Sequence, residues 1–194
     1  MSSSQGGHVG RGTDLTEHRI EGETVFDGRL LKVVRDTVSL PNGHTATREH
    51  ILHPGAVMIL PVLPSGKLLM ERQHRYPLGM DFIEFPAGKR DPGEEPIQTA
   101  QRELLEETGY SAAHWEFMAS IHVAIAYSNE RIDLYLAHGL SKGAPRLDDE
   151  EFMELLEVEP AQAFEWLRSG AITDSKTVVG LLMYEKRLAA QGAR

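Results

Sequence analysis

The chain has 194 residues, enough for one domain or one domain with a small appendage. Its 20 Lys and Arg against 29 Asp and Glu give a formal net charge of −9, which argues against binding nucleic acid or a membrane surface, since both are anionic. It contains no cysteine, which excludes disulfides, thiolate catalysis and Cys-ligated zinc and fits a reducing cytoplasm; no apolar run reaches the length of a membrane span.

Residues 1–18 are Ser- and Gly-rich at the start, lack the apolar core of a signal peptide, and are expected to form a disordered leader. In 19–53, β-branched and partly alternating stretches at 23–26, 30–40 and 45–52 predict strands. Turns are expected at Asp27-Gly28 and at Pro41-Asn42-Gly43, where Asn-Gly is a hairpin signal. The resulting antiparallel sheet is poor in large apolar side chains, so it should dock on the main domain or on a second subunit. His53-Pro54-Gly55 marks the boundary to a main domain over 54–194. There the continuous apolar run 56–63 reads as a buried strand, followed by strands at 67–72 and 82–85 and a helix at 96–108. Strands at 115–124 and 131–137, a polar loop at 139–149, a strand at 152–158 and helices near 160–168 and 175–190 complete the chain, with Asp174 as N-cap of the last helix. This order predicts an α/β (α+β) domain with a sheet between helices.

The chemistry concentrates in 88–110. Pro96 suits the first helical position and Gly109 the left-handed residue after the helix end. Ile97, Ala100, Leu104 and Thr108 then share an apolar stripe, and Glu103, Glu106 and Glu107 cluster beside it. Like charges at this spacing repel by a few tenths of a kcal/mol per pair, roughly, and Arg102, at i,i+4 to Glu106, offsets part of that. Such a face is either simply solvated or a seat for a hard cation such as Mg²⁺, which takes oxygen ligands.

A resemblance in the full spacing adds to this. Gly88, five residues, Glu94, seven residues, then Arg102-Glu103-Leu104-Leu105-Glu106-Glu107-Thr108-Gly109 matches every fixed position of the Nudix box, with only Tyr110 departing, where an aliphatic residue is preferred. The chain therefore resembles the Nudix hydrolases. The resemblance implies their α/β/α sandwich with a mixed sheet, and Mg²⁺ (with Mn²⁺ as a substitute) held by Glu103, Glu106, Glu107 and the carbonyl of Ala87. Glu94 and Arg102 are implied as supports that orient the loop and the carboxylates. Gly88 and Gly93 are expected to need unusual backbone torsions. The metal would neutralise a diphosphate and activate a water for in-line attack.

Outside the box, Val25-Phe-Asp-Gly-Arg29, Leu40-Pro-Asn-Gly43, Arg48-Glu49, His53-Pro-Gly-Ala-Val57, Arg72-Gln-His-Arg-Tyr76, Glu84-Phe-Pro-Ala-Gly88 and Thr173-Asp-Ser-Lys-Thr177 are similar, in order, to the ADP-ribose pyrophosphatase branch. That likeness implies hydrolysis of ADP-ribose to AMP and ribose 5-phosphate by a homodimer with exchanged N-terminal sheets. Phe26, Arg48 and Glu49 stand near positions that line an adenine pocket, with core packing the rival role for Phe26. Arg75 is a candidate phosphate contact and Glu84 a candidate ribose or base contact, unless the two simply pair. Glu130 ends a Ser-x-Glu loop and is a candidate base or metal-water partner, with Glu106 and Arg102 the other catalytic candidates. The loop departs from the branch: Ala124-Ile125-Ala126-Tyr127 stands where Ser-Pro-Gly is commoner, which keeps GDP-mannose or another sugar nucleotide open as substrate. A silent Nudix-fold binding module is the reading from a different class, but such modules lose box carboxylates, and Glu94, Glu103, Glu106 and Glu107 are all present.

Overall fold

A computed structural model describes residues 12–143 and 152–192. Among these the chain forms two compact units that divide between Leu52 and His53. Most of the expected leader, residues 1–11, lies outside the described residues, and regular structure starts at His18.

The first unit is a three-stranded antiparallel sheet in the order β1 (His18–Asp27), β2 (Lys32–Ser39), β3 (Thr45–Leu52). The Asn42-Gly43 turn joins β2 to β3, with Asn42 Oδ1 accepting the His44 N–H at 3.0 Å and Gly43 at φ +81°. Every residue of β1 is exposed, and Val34 and Val38 are the buried apolar residues of this unit.

The second unit is an α/β/α sandwich. Its seven-stranded sheet runs β10 (Met153–Val158), β5 (Leu68–Arg75), β4 (Ala56–Val62), β9 (Arg131–Lys142), β8 (Tyr110–His122), with β6 (Met80–Glu84) paired to β5 and β7 (Ala87–Lys89) paired to β4. Only the β4–β9 pairing is parallel, so the sheet is mixed. β4 and β9 are buried on both faces, which explains their unbroken apolar runs. Val57, Ile59 and Tyr135 pack with Ala100 and Leu104 of α1 (Pro96–Thr108). On the other face Met58, Leu60 and Leu134 pack with Phe164 of α2 (Pro160–Ser169) and Leu181 and Tyr184 of α3 (Ser175–Gly192). Gly180 lets α3 lie close to the sheet, since a Cβ there would meet the Met58 methyl at 2.8 Å.

The expected helix ends are present. Glu95 caps α1, and its N–H is bonded by the Gln98 side chain at 3.0 Å. Asp174 Oδ2 accepts the Thr177 N–H at 3.0 Å, the N-cap geometry expected for α3. Several strands differ from expectation, and β1 begins at His18, not 23, because it pairs with the whole of β2. β8 begins at Tyr110, not 115, because it pairs from its first residue with the end of β9, which runs to Lys142 instead of stopping at 137. The rest of the expected polar loop, residues 144–149, lies outside the described residues. The short β7 was not expected at all: three residues with one apolar side chain carry no periodicity.

Candidate active site

Helix α1 and the loop before it bring three carboxylates to one guanidinium. Arg102 donates from Nε to Glu94 Oε1 and from Nη2 to Glu94 Oε2, both at 3.0 Å, and from Nη1 to Glu103 Oε1 and Glu106 Oε2, both at 2.9 Å. A fifth contact, Nη2 to the Lys89 carbonyl at 3.0 Å, ties α1 to the loop before it. Arg102 thus serves three carboxylates and a carbonyl, well beyond the single i,i+4 pairing read from spacing. The bidentate bond from Arg102 holds the Glu94 carboxyl at about 2, against an ordinary 4.5, and its burial opposes that shift only in part. Thr99 Oγ1 also donates to Glu94, at 2.8 Å. Glu94 in turn pushes the Arg102 guanidinium up, further from deprotonation.

The two box glycines differ in their reasons. Gly93 has φ +81°, the left-handed torsion expected of it. Gly88 does not have positive φ, and here the expectation is corrected: a Cβ at Gly88 would fall 1.9 Å from the Glu103 carboxylate, so glycine is required by close approach. Glu107 is 6% exposed and accepts the Ala87 N–H on Oε2 at 3.1 Å, which locates it against β7 and not on an open polar face. Glu103, Glu106, Glu107 and the backbone of Ala87 supply only oxygen donors, the ligand chemistry of a hard divalent cation. Glu103 and Glu106 are turned to Arg102, and among the described residues no three His, Asp or Glu side chains converge into a ready-made cage.

Next to this helix lies a cavity of about 300 Å³ whose lining includes Arg75, Ala87, Gly88, Lys89, Glu130 and Lys176. Arg75 and Glu84 do pair: Nε to Oε1 at 2.7 Å and Nη2 to Oε2 at 2.9 Å, a fork that also aims the guanidinium at the cavity rim. Glu84 is 2% exposed. Burial alone would raise its carboxyl, and Arg75 and Lys176 outweigh that and hold it below its ordinary value. Lys176 bonds Glu84 Oε2 and lies 3.0 Å from Asp174 Oδ2. Lys176 was not singled out from sequence; its signal was the Thr173–Thr177 stretch, whose Asp174 could be read as a cap without asking what the lysine two residues on would face.

Glu130 closes the cavity from the loop between β8 and β9. Its N–H is held by Ser128 Oγ at 3.1 Å, and its Oε1 stands 3.7 Å from His53 Nε2. Asn129 Oδ1 accepts the His53 N–H at 2.7 Å, fastening this loop to the head of β4. The remaining three expected site residues belong to the first unit. Phe26 is 56% exposed, so the core-packing role does not hold. Arg48 pairs with Glu17 and Glu49 with Arg35, each through an Nε bond of 2.9 Å, rather than with one another.

A sandwich of this topology, with a glutamate-rich helix on one face, places the molecule among hydrolases of the Nudix class. The chain belongs to the Nudix family: residues 52–178 match the NUDIX domain, and residues 17–51 match the nucleoside diphosphate sugar hydrolase N-terminal domain. It is 36% identical to the ADP-ribose pyrophosphatase of Bacillus subtilis (strain 168) over 93% of this chain and 98% of that one. It is 42% identical to the methanol dehydrogenase activator of Bacillus methanolicus over 85% of this chain and 90% of that one. A crystal structure of an ADP compounds hydrolase superposes with a TM-score of 0.82 at 25% identity, covering 93% of this chain and 99% of that one. The chain is a Nudix hydrolase.

Proposed function

We propose that this hydrolase cleaves the diphosphate of a nucleoside diphosphate sugar, with ADP-ribose the first substrate, giving AMP and ribose 5-phosphate. The observation that carries the proposal is one cavity in which Arg75 and Lys176 face Gly88 and Glu130 beside the Nudix helix. Arg75, oriented by Glu84, binds a phosphate oxygen; Lys176 adds a second cation. Glu103, Glu106 and Glu107 with the Ala87 carbonyl would hold a divalent ion, Mg²⁺ or in its place Mn²⁺, which would neutralise charge on the diphosphate and acidify a water. Glu130 takes the proton from that water as its oxygen attacks phosphorus and the bridging P–O bond breaks. Arg102 and Glu94 keep the carboxylates in place.

The names of the ADP-ribose and ADP-compound hydrolases above support an adenine substrate. Phe26, Arg48 and Glu49 are assigned to the base, with the sheet that carries them exchanged in a homodimer. GDP-mannose or a related sugar nucleotide is the second reading, favoured by the 124–127 loop, where the N–H groups of Tyr127 and Ser128 both bond the Ala124 carbonyl and Ile125 is 83% exposed. No described helix is long and apolar enough to cross a membrane, and the cysteine-free composition suits the cytoplasm, where we place the reaction. The test is to incubate the protein with Mg²⁺ and ADP-ribose, GDP-mannose, NADH or dinucleoside polyphosphates and identify the products. AMP with ribose 5-phosphate as the fastest outcome supports the proposal; turnover of none of them sinks it.

A further inference from the structure

A second cavity, of about 340 Å³, opens at the same end of the sheet as the first, and its lining includes His53, Arg90, His122, Asn129, Arg131 and Asp133. The pleat separates the two. Glu130 and Ile132 line the first cavity, whereas Arg131 and Asp133 line the second. The wall between them is narrow: His53 of the second lies 3.7 Å from Glu130 of the first.

The polar groups here are anchored. Arg131 Nη2 is held by Asp133 Oδ2 at 2.9 Å, and Asp133, 4% exposed, is fixed in turn by the Ser120 hydroxyl. Arg90 is held through Nε at 3.2 Å and Nη2 at 2.5 Å by the backbone carbonyl of Glu94. That acceptor is uncharged, so it orients the guanidinium without neutralising it. Each guanidinium carries five N–H donors, more than these anchors take. Asn129 gives its Oδ1 to the His53 N–H, which leaves its amide NH₂ to donate. His53 Nδ1 accepts the Gly55 N–H at 3.1 Å, so the ring in its neutral form carries its proton on Nε2, toward Glu130. Two arginines against one carboxylate make the cavity locally cationic in a chain of net charge −9, and pre-oriented guanidinium forks match the oxygens of a phosphoryl group.

We infer that this cavity is a second phosphoryl-binding site, distinct from the one that holds the scissile diphosphate. Its ligand is either a further phosphate on the sugar half of the substrate or free phosphate acting on the neighbouring Glu130 loop.

The test uses the full chain and inorganic phosphate, titrated calorimetrically without divalent metal. Arg90→Gln should weaken phosphate binding by about tenfold or more, the loss of one charge-assisted anchor. Arg75→Gln, which alters only the first cavity, should leave that binding in place. If Arg90→Gln does not fold, Arg90→Lys keeps the charge, loses the fork and carries the same comparison. Absence of binding at millimolar phosphate, or binding lost in Arg75→Gln and unchanged in Arg90→Gln, overturns the site. A kinetic arm separates the two sources. Phosphate that competes with a nucleotide sugar phosphorylated on its sugar, but not with ADP-ribose, marks a substrate subsite. Phosphate that changes kcat for ADP-ribose marks an effector site.

Discussion

Arg102 is the residue on which the acidic helix depends. Three carboxylates share its guanidinium, so the repulsion that spacing alone implies is largely absorbed within the helix and its leading loop. Glu94 is its firmest partner, and a pH experiment reads that directly. The folded carboxyl titrates at about 2 against an ordinary 4.5, so the unfolded chain takes up the proton first as pH falls. The stability from this pair should be complete above pH 4.5 and lost progressively toward pH 2. Melting temperature should therefore fall less steeply across that window in Glu94→Gln than in the parent protein. Equal slopes would detach Glu94 from the stability of the loop.

Glu107→Gln tests a metal ligand. Its amide oxygen still accepts the Ala87 N–H, so the protein should fold, while turnover in saturating Mg²⁺ should drop by about 10² or more. Near-parental turnover would reject the assignment. For Glu130→Gln, kcat should fall by about 10²–10⁴ with KM nearly unchanged if it is the base. A rate that recovers across a Mg²⁺ titration would make it a metal partner instead. That Glu103, Glu106 and Glu107 cluster along α1 was legible from helical spacing alone. What they meet was not. The bond of Arg102 to the Lys89 carbonyl, the bond of Glu107 to the Ala87 N–H and the approach of Glu103 to Gly88 all involve β7, a strand too short to leave a pattern.

At the scale of elements, the segment after β6 is clamped to α3 beside the cavity that Arg75 and Lys176 line. The buried Phe85 N–H donates to Thr177 Oγ1 at 3.1 Å, and Thr177 is fully buried in the first turn of α3, beside Lys176. Thr177→Val keeps the shape and removes the acceptor. It should cost about 1–3 kcal/mol in denaturant unfolding, the penalty for a buried unpaired N–H, and should raise KM because Lys176 and Glu84 shift with it. A change under about 0.5 kcal/mol, the range of neutral surface substitutions, would show that the clamp is not needed. Elements with a full period were legible: α1 starts and stops where Pro96 and Gly109 place it, and the apolar run of β4 is a strand buried on both faces. Long-range pairings were not, since the late start expected of β8 reflects weak alternation in Tyr110–Ala113, which only the partner strand β9 makes extended.

At the scale of the molecule, the first unit is a sheet with little interior of its own. Ile20, Val25, Phe26, Leu30, Leu31 and Leu52 are all exposed by at least 40%, apolar surface that a small sheet needs to pack on something. We expect a homodimer formed through residues 19–53. Sedimentation should give twice the 21.6 kDa chain mass at micromolar concentration, and a fully active monomer would remove both the dimer and the shared base pocket.

The parallel pairing of β4 with β9 has a consequence in time as well as space. Ala56 meets Ile132, so the head of the sheet, where both cavities open, closes only when more than half of the domain over 54–194 has been spanned. Loop closure of that length is slow and comes after local structure such as α1. During synthesis, the complete Nudix box emerges well before the strand that must lie beside β4. A chain interrupted between Gly109 and Arg131 would carry every box carboxylate and have neither cavity, so catalytic competence should await both the arrival of β9 and the docking of α3, which brings Lys176.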